Sequence, residues 1–148
     1  MSFNQYVHQT ASSAQETYYQ ALADGDVNTL LSVWVDDEAI LCILPSGDRL
    51  MGPEAIRDMH AEIFAQGPIR ISYQELQSFE TGTVSVHHVL EQFDIIHPHE
   101  GTTQYLAQAT NVFLRTPAGW QLMLHHASHI PGELDTSSDD DIPPKHLH

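Results

Sequence analysis

Near residue 68 the apolar repeat along the chain changes from helical to alternating, and this switch limits the possible folds more than any other feature. Before it, Val7, Ala11, Ala14, Tyr18 and Leu22 recur at helical spacing and predict a long amphipathic helix from about residue 5 to Ala23. Asp24-Gly25 stops it, and Asp26 is an N-cap for a second helix with Val27, Leu30, Leu31 and Trp34 on one face. Ala39 to Leu44 reads as a buried strand, Pro45 to Asp48 as a turn, and Arg49 to Met51 as a short return strand. Gly52-Pro53 opens a third helix, buried through Ile56, Met59, Ile63 and Phe64 and stopped by Gly67-Pro68. After the switch come four long strands, Ile69 to Phe79, Thr83 to Ile96, Thr103 to Arg115 and Trp120 to Ile130, each separated by a turn. One face of such strands must be covered, and the three helices are the only cover available. The expectation is an α+β domain over residues 1–131, in which a curved antiparallel sheet wraps around helices and leaves a concave pocket between them.

Charge and composition narrow the function. The chain carries 20 acidic residues against 5 Lys and Arg, and residues 1–130 hold only Arg49, Arg57, Arg70 and Arg115 as fixed cations. Such a surface repels phosphate backbones and anionic lipid, so neither nucleic acid nor a membrane is expected as a partner. No apolar run approaches the length of a bilayer span, and MSFNQYVHQT has no signal-peptide pattern, so the expected location is cytoplasmic. The single cysteine, Cys42, lies in the apolar run AILCIL and reads as a small buried hydrophobe. Residues 132–148 are acidic and poor in large apolar side chains, and are expected to form a disordered tail.

Several segments, in order and at matching spacing, resemble the SnoaL-like branch of the nuclear transport factor two and ketosteroid isomerase superfamily. Tyr18 to Asp26 resembles its first helix, Gly-Asp break and second helix. Trp34 to Ala39 resembles the entry to its first strand, Met51 to Arg57 the start of its third helix, and Gly119 to Ser128 its closing strand. The resemblance covers roughly residues 10–130. It implies a cystatin-like α+β barrel with a cone-shaped pocket, a small-molecule ligand, and a homodimer formed through the outer sheet face. It leaves the activity open, because one scaffold serves isomerases, dehydratases, cyclases and association modules.

Candidate residues follow from strand parity and from the same resemblance. On the last strand Trp120, Leu122, Leu124, His126, Ser128 and Ile130 form the more apolar set and are expected to face inward. Against the ketosteroid isomerases, Tyr18 falls at the oxyanion-donor tyrosine, Asn111 at the second donor, and His88 and His126 at inward-facing strand positions. This implies His126 as proton shuttle with Tyr18 and Asn111 as donors, and a pocket lined by His88, Ser128, Trp34, Phe113 and Leu124. The isomerase's aspartate base has no counterpart in Ile40 to Leu44. Neighbouring histidines such as His125 and His126 point to opposite faces, so no metal site is expected, and no cofactor motif occurs. The expected function is a small-molecule pocket protein, with cofactor-free isomerase, dehydratase or cyclase chemistry on a cyclic or aromatic substrate. The alternative is a non-catalytic dimeric ligand-binding or association module.

Overall fold

A computed structural model describes residues 7–131. The tail expected at 132–148 lies outside the described residues. The elements run α1 (Ala11–Asp24), α2 (Val27–Val33), β1 (Leu41–Ile43), β2 (Arg49–Met51), α3 (Pro53–Ala65), β3 (Arg70–Glu80), β4 (Val84–His97), β5 (Gly101–Thr116) and β6 (Gly119–His129). The first helix starts later than its periodicity predicts. Thr10 caps it by accepting from the Ser13 amide at 3.0 Å, while His8 before the cap bridges to Gly119 at the start of β6. Gly25 ends α1 in the left-handed conformation (φ 68°), and the Asp26 carboxylate then caps α2 through the Thr29 amide at 3.1 Å. Pro53 opens α3, where its missing N–H has no helical partner to lose.

The six strands form one curved, unclosed sheet in the order β2-β1-β6-β5-β4-β3. Every pairing is antiparallel except β1 with β6, which is parallel because the α3 connection separates that hairpin from the long meander. The expected α+β architecture of a curved sheet on three helices is present, and among the described residues β1 with β6 is the one parallel strand pairing within an otherwise antiparallel sheet. Two bulges interrupt the long strands, one between Glu75 and Gln77 in β3 and one between Leu122 and Leu124 in β6. Each adds a residue to one strand, bends it and increases its twist, so that the sheet folds around the helices.

The core fills the space between the helices and the inner sheet face. Ala14, Tyr18 and Leu22 of α1, Leu30 and Val33 of α2, and Ile56 of α3 pack on Cys42, Val89, Ala109, Phe113 and Leu122 of the sheet. Burial drives the Cys42 thiol up to about 12, with the Glu91 carboxyl adding to the shift, so it behaves as an inert core side chain. Among the described residues no helix is long and apolar enough to cross a membrane.

Candidate functional site

A cavity of about 920 Å³ lies between α1, α3 and the inner faces of β3 to β6, within the range of small-molecule sites. Its walls are apolar, with Leu22, Ile63, Ile69, Ile71, Phe93 and Leu106 among them. Exposed Arg70, Ile95 and Ile96 stand at the rim. Four buried polar side chains form its deep end: Tyr18, His60, Glu91 and His125.

Strand geometry explains how a carboxyl and an imidazole come to share that floor. On β4, Ser85, His87, Val89 and Glu91 are buried in strict alternation, while Val84, Val86, His88 and Leu90 face the other side and are half-buried. Glu91 pairs across the sheet with Ala107, whose small side chain leaves room above it. On β6 the alternation reverses at the bulge. Trp120 and Leu122 point inward, Met123 is the extra residue, and beyond it His125 and Ala127 are the buried ones. His125 therefore faces the cavity and His126 faces outward, contrary to uninterrupted parity.

A directed set of hydrogen bonds holds the floor. The Tyr19 hydroxyl donates to Glu91 Oε2 at 2.6 Å. The Asn111 amide donates to the Tyr19 hydroxyl at 3.2 Å and to Gln15 Oε1 at 3.0 Å. Asn111 Oδ1 is left to accept, so the 2.6 Å contact with His125 Nδ1 carries the proton on the imidazole. His125 Nε2 is then a bare acceptor, 3.8 Å from Glu91 Oε2. This approach is not an ion pair, because both groups are pushed to their neutral forms. Burial, then His60 and His126, lower His125 to about 3. Burial raises Glu91 to about 7 against the opposing Tyr19 hydrogen bond, and its Oε1 has no partner among the described residues.

Tyr18 completes the set. Its ring lies 5.3 Å from the His125 ring, and burial raises its hydroxyl well above the ordinary value, followed by Cys42, Tyr19 and Glu91. It stays protonated and is a neutral donor. His60 gives Nδ1–H to the Ile56 carbonyl at 2.7 Å, so its Nε2 is a second acceptor, and burial lowers its pKa against that hydrogen bond. Tyr18, His60 and His125 therefore offer neutral donors and acceptors, and the floor carries no fixed charge while Glu91 holds its proton, below about pH 7. Among the described residues no three His, Cys, Asp or Glu side chains converge as a metal site.

Of the residues expected from the sequence, Tyr18 lines the cavity and Asn111 supports His125 from behind. Trp34 and Phe113 are core side chains, Trp34 against Tyr18 and Phe113 against His87. Leu124, His126 and Ser128 lie on the outer sheet face because of the bulge, and His88 lies there beside Gln108 at 3.1 Å. For His88 the alternation itself corrects the expectation, since His87 takes the inward position. Glu91, His125, His60 and Tyr19 were missed. The available signals were the shared parity of Glu91 with Val89, and His60 one turn after Ile56 on the buried stripe of α3.

The model of the SnoaL-like domain family matches residues 12–133. Among solved structures, a candidate dehydratase of the nuclear transport factor two-like family from Streptomyces avermitilis is 28% identical, with a TM-score of 0.74, covering 82% of this chain and 94% of that one. A candidate calcium/calmodulin-dependent protein kinase type II association domain from Thiobacillus denitrificans is 26% identical, with a TM-score of 0.75, covering 84% and 98%. A ketosteroid isomerase-like protein from Erwinia carotovora atroseptica shares the fold at 14% identity and a TM-score of 0.71, covering 82% and 95%. No curated protein matches the chain.

Proposed function

The chain belongs to the SnoaL-like domain family, and from that premise we propose that it is a cofactor-free dehydratase acting on a small, largely apolar, uncharged hydroxy-carbonyl compound. One observation carries this reading: a neutral imidazole with a bare Nε2 and a carboxyl that titrates near 7 lie 3.8 Å apart on the floor of an apolar cavity. The likeness to the Streptomyces avermitilis protein supports it.

The step needs a base and an acid on one side of the substrate. His125 Nε2 removes a proton next to the carbonyl, and the Tyr18 hydroxyl donates to the carbonyl oxygen as negative charge develops there. The carbon–oxygen bond one position further breaks, the Glu91 carboxyl protonates the departing hydroxyl, and water leaves as the double bond forms. An imidazolium alone is unfavourable in this buried place. It arises as Glu91 becomes a carboxylate, and the new ion pair stabilises it. Direct proton return from Nε2 to Glu91 resets both groups. A charged substrate group would gain no counter-charge at this floor, hence the uncharged substrate class.

The test follows enone formation from a panel of cyclic and aromatic β-hydroxy ketones. Wild type is expected to turn over one class, with His125→Ala and Glu91→Gln each slowing it by about 100-fold or more. The rate should fall as pH rises through about 7, where Glu91 loses its proton, and Glu91→Gln should not show that fall. Ligand binding without turnover across the panel would sink the catalytic reading.

A second reading, an association module, is supported by the Thiobacillus denitrificans likeness and by the outer sheet face. There Val86, Leu90, Val112, Leu114 and Leu124 are half-buried, and Phe79 is 59% exposed. A homodimer through this face would cover them, and Leu124→Glu should then shift the sedimentation coefficient to that of a monomer. A cytoplasmic setting fits the lone Cys42 thiol.

A further inference from the structure

Behind the cavity floor, the hydrogen bonds that orient His125 continue to the protein surface. Gln15 is 1% exposed on the buried side of α1. Its Nε2 donates to Glu75 Oε1 at 3.0 Å, and its Oε1 accepts from Asn111 at 3.0 Å. Glu75 also receives the Nδ1–H of His87 at 2.8 Å, and His87 Nε2 accepts from the Ser85 hydroxyl at 2.9 Å. The Glu75 side chain reaches solvent, at 37% exposure, and as a carboxylate it can only accept.

That one-way end point fixes every bond after it. Glu75 requires the NH₂ end of the Gln15 amide, which turns Gln15 Oε1 toward Asn111 and requires the NH₂ end of Asn111. Asn111 Oδ1 then faces His125 and requires Nδ1–H. Without that end point, the connection of Asn111 to Tyr19 could run either way. Tyr19 can donate to a Glu91 carboxylate, or accept from a Glu91 carboxylic acid and donate to Asn111. In the second arrangement Asn111 would turn round, offer its NH₂ to His125 Nδ1, and move the imidazole proton to Nε2, where a base is lost. Among the described residues, the Gln15–Glu75 anchor is what opposes that reversal.

We propose that Gln15 and Glu75, which lie outside the cavity lining, are positioning residues that hold His125 in the tautomer with a bare Nε2. The chemical value of that tautomer rests on the dehydratase reading, but the tautomer is measurable without any reaction. The two imidazole nitrogens have distinct ¹⁵N shifts according to which one bears the proton.

The experiment is ¹⁵N NMR of histidine-labelled protein at one pH near neutrality, assigned with His125→Ala. Wild type is expected to show His125 protonated at Nδ1 alone. Glu75→Gln replaces an obligatory acceptor by a group that accepts or donates, and is expected to mix the two tautomers. Gln15→Leu should mix them further. The exchanged pair Gln15→Glu with Glu75→Gln keeps an acceptor facing Asn111 and should return the Nδ1–H form. If Gln15→Leu does not fold, the surface variant and the exchanged pair decide. A wild-type signal of Nε2–H, or a tautomer unchanged in Glu75→Gln and Gln15→Leu, overturns the assignment. A wild-type Nδ1–H signal that mixes in Glu75→Gln supports it even if no substrate is turned over, so the two readings fail separately.

Discussion

The inner sheet face holds two histidine–glutamate pairs that differ in nearly every respect but composition. At the closed end, His87 and Glu75 are 2.8 Å apart, Glu75 accepts from both His87 and Gln15, and its side chain reaches solvent at 37% exposure. At the cavity end, His125 and Glu91 are 3.8 Å apart, both nearly excluded from solvent, with Glu91 receiving one hydrogen bond and leaving Oε1 unpartnered. A carboxylate is stabilised by donors and water. Glu91 has one donor and little water, so burial makes it retain its proton to about 7. The first pair braces the fold, and the second is an acid beside a base with an empty space in front. Composition does not separate them; the number of donors and the access of solvent do.

The largest expected difference is in turnover. On a substrate that wild type dehydrates, Glu91→Gln should cost about 100-fold or more in kcat, whereas His87→Gln should change kcat by no more than about threefold. An equal loss from both would erase the distinction between the ends.

Next in size is the pH dependence of stability. Folded Glu91 binds its proton up to about pH 7, against an ordinary 4.5, so its contribution is complete below 4.5 and is lost as pH rises to about 7. His125 works in the opposite sense. Its folded value is about 3 against 6.5, so stability from it is lost as pH falls from about 6.5 toward 3. The two trends oppose each other between 4.5 and 6.5, leaving a broad optimum there. Glu91→Gln removes the alkaline loss. Urea denaturation should show it gaining about 2–3 kcal/mol on wild type between pH 5 and pH 8. No relative gain would mean that Glu91 is ionised at the floor.

Smaller again is Glu75→Ala, which leaves the His87 and Gln15 donors without their acceptor. It should cost about 1–2 kcal/mol, read by the same denaturation. The smallest effects belong to the outer face. His88→Ala and His126→Ala should each stay within about 0.5 kcal/mol of wild type and leave turnover unchanged, since neither side chain reaches the cavity. A strong loss of turnover in His126→Ala would restore that residue as the proton shuttle and invert the face assignment of β6.

Much of the molecule was written locally. The Asp26 cap, the Gly25 stop, Pro53 at the start of α3 and the strands beyond Pro68 were all legible, because capping, turn chemistry and apolar period act over a few residues. Tyr18 could be assigned to the buried side of α1 for the same reason, and Phe113 to the inner face of β5. Orientation along β6 was not legible. One unpaired residue, Met123, reverses the parity of everything after it, and a bulge arises from how strands pair across the sheet. Glu91 escaped for a related reason. A carboxyl inside a strand has its chemistry set by what lies opposite, here Ala107, Tyr19 and an open cavity. The sequence by itself determined which segments are helix and strand, and that the helices must cover one sheet face. Only the tertiary structure decided that His125 and not His126 meets the cavity, that Glu91 stands beside it, and that Asn111 points its oxygen at the imidazole. Those outcomes depend on register, burial and hydrogen-bond direction between residues far apart in the chain, which no local pattern encodes.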